Sequence, residues 1–193
     1  MVSVARESQL VDGFKFRSGH RALDLTATVS GRKRNAPLDA LKSAADLARW
    51  LRAAGFGETA PYESDLGLAR SFREAIYGRV LARKNGVALK KGDRLMLNAI
   101  AAGLGPFVSL NDEGFATTFG SVRQLLTGLA LEAISLIGSE KGSRLRQCEA
   151  ENCAVLFLDE SRNGERRWCS MASCGNRAKV RSFRQRTRLK PSR

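Results

Sequence analysis

The stretch CEAENCAVLFLDESRNGERRWCSMASCGNR, residues 148–177, holds all four cysteines of a 193-residue chain, spaced C-x4-C-x15-C-x4-C. Four thiolates in two close pairs suit tetrahedral zinc: each pair folds round one side of the ion, and the intervening segment closes a loop that the metal holds. Two disulfides or free thiols are the competing readings. Residues 1–10 (MVSVARESQL) lack the charged start and apolar run of a signal peptide, so a cytoplasmic location is expected, where disulfides are disfavoured. Cys148, Cys153, Cys169 and Cys174 are therefore expected to bind one Zn2+. Four cysteine ligands leave no open coordination position, which makes the site structural and not catalytic. A segment as short as 144–193 buries little core of its own, so metal binding is expected to supply most of its folding free energy.

Working outward, residues 154–159 (AVLFLD) read as a strand and residues 161–165 as a turn back toward 166–169, which predicts a hairpin between the cysteine pairs. Residues 175–189 are helix-compatible, with Pro191 beyond them. Cys174 then stands at a helix N-terminus, where the dipole and free N–H groups stabilise a thiolate. Knuckle, hairpin and ligand-bearing helix make a treble-clef arrangement. At about 100° per residue, Arg177, Arg181, Arg184 and Arg188 share one narrow helix face. Lys179, Arg186 and Lys190 form a second stripe, and Val180, Phe183 and Thr187 lie between the two, predicted to pack on Trp168 and the hairpin.

The charge gathers in the same region. The net charge is +14, and from Arg166 onward the chain has ten basic side chains and no acid. A polyanionic partner follows, and the expected nucleic-acid contacts are Arg177, Lys179, Arg181, Arg184, Arg186 and Arg188. Four to six engaged phosphates would give a slope of log K against log salt of about −4 to −5. A solvated basic face is the bland alternative. Four thiolates around one dication are themselves an anion, so Arg166, Arg167 or Arg177 can serve that local charge instead of a phosphate. No apolar run approaches the length of a membrane span, so no membrane partner is expected.

Upstream, 43% apolar content suffices for a single core. Helical periodicity predicts helices over residues 37–54, 64–84 and 93–102, the last turning Leu95, Leu97 and Ile100 inward. Residues 107–110 and 115–119 around Asn111-Asp112-Glu113-Gly114 predict a hairpin. Ser121 and Gln124 form a capping-box pair opening a long apolar helix through Leu125, Leu129, Ala133 and Ile137. The glycine-bearing stretch 138–143 (GSEKGS) marks the domain boundary, giving domains 1–142 and 143–193. The expected fold class is α+β: a mainly helical N-terminal domain with a β-hairpin, followed by a treble-clef zinc finger. Trp50 reads as core or domain interface, and Arg70, Arg73 and Glu74 as an ion-pair network. Gly103 and Gly105 read as a turn, since no Walker-type lysine follows. His20, the only histidine, lies one helical turn from Asp24, but no nucleophile or second carboxylate completes a reaction centre, so enzymatic activity is not expected. His20, Asp24 and Arg32 are instead the candidate lining of a sensor pocket.

RWCSM at 167–171, followed by CGNR at 174–177 and Lys179, resembles the CGNR zinc finger family. GHRALDL at 19–25, the following Arg32 and LARWL at 47–51 resemble the ABATE domain that accompanies it, so the two regions cover nearly the whole chain. Ala27 stands where that family commonly has an Asn-like residue. The resemblance implies a stress-responsive bacterial transcription regulator, with a zinc finger directed at DNA and an N-terminal domain that binds an unidentified small-molecule ligand. Two other functions compete: an RNA-binding or ribosome-associated zinc protein, and a small-molecule-binding protein or enzyme with a purely structural zinc module. Against RNA stands the expectation that Phe183 looks inward, which leaves no exposed aromatic platform. One short finger reads few bases, so a homodimer on two half-sites is a further expectation.

Overall fold

The computed structural model describes residues 9–88 and 90–188. In chain order these fold as β1 (Gln9–Val11), β2 (Phe14–Phe16), α1 (Arg21–Thr26), β3 (Val29–Ser30), β4 (Leu38–Asp39), α2 (Ala44–Ala53), α3 (Glu63–Lys84), α4 (Lys91–Ala101), β5 (Phe107–Leu110), β6 (Ala116–Phe119), α5 (Val122–Gly138), β7 (Leu145–Gln147), β8 (Leu156–Leu158) and α6 (Asn176–Arg188). About half of the chain is helical, and the strands form four antiparallel two-stranded hairpins, so the architecture is α+β.

Side-chain caps decide where two of the helices begin. Ser121 accepts from the Gln124 N–H while Gln124 reaches back, which opens α5 as its sequence predicts. Ser43 and Asp46 make the same reciprocal pair, so α2 starts at Ala44 and not at Pro37. The helical spacing over 37–54 yields helix only from Ala44, because Leu38 and Asp39 pair instead with Ser30 and Val29. The hairpin at 107–119 forms as expected, with Phe107 opposite Phe119.

The core lies between α1, α2, α3 and α5, where Leu23, Trp50, Phe72, Ile76, Leu125 and Leu129 are fully buried. Trp50 stacks on Phe16 with ring centroids 6.2 Å apart, which settles it as a core residue. Leu95 is exposed, whereas Leu97 of the same helix is buried. A helix of this length packs one narrow stripe, and here Leu97 occupies it.

The GSEKGS stretch is a packed 3-10 turn (Glu140–Arg144), pinned by the Arg83 guanidinium on the Ile137 and Ser139 carbonyls. Beyond it, Leu145, Leu156 and Leu158 join the main core, so β7 and β8 are rooted in the helical body. β8 pairs with β7 through Leu145↔Leu158 and Gln147↔Leu156, not with residues 166–169 as the sequence predicted. Leu145 brings to that pairing a side chain buried in the main core, whereas Cys169 and Trp168 pack in the separate small cluster around the sulfurs.

Candidate metal centre and basic helix

The β7–β8 hairpin places the first cysteine pair. Cys148 follows β7, its N–H donates to the Val155 carbonyl at 2.9 Å, and Cys153 lies in the connecting loop. The second pair sits where residues 169–174 turn into α6: Ser170 caps a π-helical turn (Met171–Gly175) that carries Cys174. Gly175 lies under the Met171 thioether, which a Cβ would meet at 2.9 Å and push aside. Asn176 donates to the Ala172 carbonyl and so closes the same turn.

All four Sγ atoms lie within 4.8 Å of one another. Cys153 Sγ is 3.8 Å from Cys169 Sγ, which is 3.7 Å from Cys174 Sγ. A disulfide needs about 2.0 Å. Sulfurs about 2.3 Å from a tetrahedral zinc stand about 3.8 Å apart along each edge. The donor set therefore fits a tetrahedral, thiolate-bound divalent metal. Without such an ion the sulfurs must share protons. Hydrogen bonds from Cys153 and Cys169 pull Cys148 down to about 2, and the same contacts to Cys148 push Cys153 up to about 11 and Cys169 further in the same direction. A dication removes the conflict by accepting all four as thiolates.

Around the sulfurs the structure divides the arginines between two roles. Arg177 Nη2 donates to Cys174 Sγ at 3.2 Å, and that bond raises its own pKa. Arg166 donates to the Trp168 and Cys169 carbonyls and lies 4.8 Å over the Phe157 ring. Arg167 pairs with Glu149 at 2.6 Å. Arg181 pairs with Glu151. Lys179, Arg184 and Arg186 are exposed and have no ion pair among the described residues. The Arg188 side chain, and Leu189, Lys190 and Pro191, lie outside the described residues, as do residues 1–8 of the N-terminal stretch.

One expectation fails here. Val180 is 49% and Phe183 63% exposed, so the apolar stripe of α6 does not pack on Trp168 or the hairpin. The helix is tethered at its start by Cys174, the exposed Arg181–Glu151 pair lies on the same side, and Ala178 and Ser182 line the groove that faces the body. Periodicity located the stripe but could not show which face the cysteine tether would turn inward. The exposed Phe183 ring is also open to an unpaired base, contrary to the expectation that it looks inward.

The helical body grips both cysteine pairs, which sequence reading missed. Lys33 Nζ donates to the Cys148 carbonyl at 2.9 Å and to the Ala150 carbonyl at 3.3 Å. Arg17 Nη1 donates to Ser173 Oγ at 2.8 Å. Gln147 Nε2 donates to the Tyr77 hydroxyl at 2.7 Å. Ala27 is buried in one apolar cluster with Cys148, Phe157, Cys169 and Cys174. A small residue at that position thus lets the two halves close. Polar side chains separated from their partners by 70 to 156 residues leave no local pattern to read.

The proposed sensor residues have structural engagements. Asp24 accepts from the Arg17 and Ser18 N–H groups at 2.8 and 3.0 Å, holding the turn into α1. Arg32 forks onto Glu74 at 2.6 and 2.9 Å and lies 4.1 Å over the Tyr77 ring. His20 is half-buried, and desolvation holds its imidazole below the usual value against the charges of Glu132 and Glu160.

Two family models match the chain. The ABATE model, whose description reads "Putative stress-induced transcription regulator", covers residues 19–140, and the CGNR zinc finger model covers residues 144–187. Comparison with curated proteins gives no match. No helix among the described residues is long and apolar enough to cross a membrane.

Proposed function

Because the chain belongs to the ABATE family and carries a CGNR zinc finger behind that domain, we propose that it is a DNA-binding transcription regulator whose finger presents α6 to duplex DNA. One structural Zn2+ on Cys148, Cys153, Cys169 and Cys174 holds the finger in a treble-clef arrangement. No catalytic role is assigned to any residue.

The observation that carries the reading is the solvent face of α6. Val180 and Phe183 are exposed at its centre, Arg184 lies beside them, and no acidic side chain follows Glu165. A helix in the major groove puts base-reading side chains at its centre and cations at the phosphates on its flanks. A membrane surface fits less well, since two apolar residues bury too little to anchor a helix. Structured RNA is the second reading, favoured by the exposed Phe183, which could stack on an unpaired base.

Arg177 and Arg181 are engaged within the protein, which leaves Lys179, Arg184, Arg186 and Arg188 for phosphates. The expected slope of log K against log salt is therefore about −3 to −4. Fluorescence anisotropy with duplex DNA, structured RNA and single-stranded DNA across salt measures it. Arg184→Glu with Arg188→Glu is expected to flatten the duplex slope by about two while metal content stays constant. Unchanged affinity and slope in that variant would exclude α6 as the contact, and tighter binding of RNA would favour the second reading. Sedimentation of the complex reports whether two copies bind one site.

The exposed apolar centre adds a test of base contact. Apolar side chains in the major groove touch the thymine 5-methyl group. Replacing thymine by deoxyuridine throughout a duplex that the protein binds is expected to weaken binding by wild type and to leave binding by Phe183→Ser with Val180→Ser unaffected. Equal losses in both proteins would mean that the stripe does not face the bases.

A further inference from the structure

Between the helical body and the finger runs a groove of about 930 Å³. One wall carries Lys15, Arg17 and Arg34 from the N-terminal hairpins, and the other carries Arg177, Lys179 and Arg186 from α6. The volume lies within the range of small-molecule sites. We propose that this groove binds a small, multiply charged phosphate compound, of the class of a nucleoside polyphosphate or an inorganic polyphosphate.

Charge is the first argument. Glu149 and Glu151 also line the groove, but each is already paired, with Arg167 and Arg181. Lys15, Arg34, Lys179 and Arg186 have no ion pair among the described residues, although all four face one concave space. Like charges gathered across a cleft from two separate parts of a fold raise its potential and concentrate anions in it. A single carboxylate would satisfy one of them; a chain of phosphates satisfies several, and guanidinium forks match phosphate oxygens two at a time.

Position is the second argument. Arg34 comes from the β3–β4 loop, whose neighbour Lys33 already holds the Cys148 and Ala150 carbonyls. Lys179 and Arg186 come from the helix offered to DNA. An anion bridging these walls would fasten α6 to the body and occupy two cations that a DNA backbone would otherwise use. The anion site itself does not depend on DNA binding by α6.

The test is calorimetric titration of the full, metal-loaded chain with inorganic tripolyphosphate, and separately with ATP, at about 0.15 M salt to screen diffuse attraction. Trp168 lines the groove while Trp50 is buried in the core, so ligand-dependent fluorescence provides a second reading. One saturable site per chain is expected. Lys15→Glu with Arg34→Glu should weaken it at least tenfold, whereas Lys84→Glu with Lys91→Glu, an equal charge change elsewhere, should leave it intact. Tighter binding of ATP than of tripolyphosphate identifies a nucleotide; equal binding identifies the phosphate chain alone. Non-saturable binding, or equal losses in the two variants, would overturn the proposal. So would a short duplex losing affinity in the first variant while tripolyphosphate does not, because the groove would then be a track for nucleic acid.

Discussion

Chelating the metal is expected to unfold residues 166–188 and to leave the rest of the chain folded. The small apolar cluster under the finger consists of Ala27, Val155, Phe157 and three of the cysteines themselves, so little remains to hold it once the sulfurs stop sharing an ion. α6 is a single helix of 13 residues, exposed from Asn176 through Thr187 except for the half-buried Ala178, and an isolated helix of that length is marginal in water. Structural zinc in such modules supplies about 10–16 kcal/mol near neutral pH, far more than the cluster could replace. The β7–β8 hairpin behaves differently, because Leu145, Leu156 and Leu158 belong to the main core. Hydrogen exchange on the full chain should therefore show protection lost through the π turn and α6, and kept in α5 and β8. Cys169→Ser should reproduce the loss without chelator, and metal analysis should find about one zinc per wild-type chain. Retained protection in α6 after chelation would refute the structural role. A single transition of the whole chain would refute the separation of the two parts. Acid should act like chelator, since protons compete for the four thiolates.

The contrast between β8 and α6 also shows what sequence could and could not supply. The four cysteines were legible because metal ligands have a spacing, and the Ser121–Gln124 cap because a reciprocal pair lies three residues apart. The β8 strand was legible as a strand, but its partner was not. Choosing between residues 145–147 and 166–169 depends on which one joins the core assembled from α1, α3 and α5 and which joins the small cluster around the sulfurs. The same limit explains Val180 and Phe183: a hydrophobic stripe declares a face, and only the tether at Cys174 decides where the face points. Lys33, Arg17 and Gln147, which seat the finger, lie too far from their partners in sequence for any pattern to show them. Lys179 and Arg186 were legible as one stripe of α6, but nothing local to them shows that Lys15 and Arg34, from hairpins more than a hundred residues away, face them across the groove.

Arg73→Met is expected to destabilise the body by about 3 kcal/mol, measured by urea unfolding at neutral pH. Arg73 is 4% exposed and its guanidinium holds three residues: Nη1 and Nη2 fork onto Asp39 at 2.8 Å each, Nη1 also reaches Thr28 Oγ1 at 3.0 Å, and Nε reaches Glu74 at 2.8 Å. Removing one partner of a buried pair costs about 3–5 kcal/mol, because the other is left uncompensated. The lower end applies, since Asp39 keeps 31% of its side chain exposed and can recover water. Arg73→Lys should recover little, because an ammonium cannot make the fork. Asp39→Leu added to Arg73→Met should recover part of the loss, as the stranded carboxylate is gone. Burial by itself would raise the Asp39 carboxyl, but hydrogen bonds from Arg73 and the Leu41 N–H outweigh it and hold the group below its ordinary value. A carboxyl lowered in this way contributes stability that is complete above about pH 4 and is lost as pH falls through the folded value. Arg73→Met should therefore lose more stability at pH 7 than at pH 3, and an equal loss at both would place the arginine's role in packing alone. Asp39 also anchors β4, which closes the β3–β4 loop bearing Lys33 and Arg34. Loosening that anchor should raise hydrogen exchange at residues 148–153, where Lys33 holds the first cysteine turn. An unaffected turn would show that the loop is seated by the finger and not by the body.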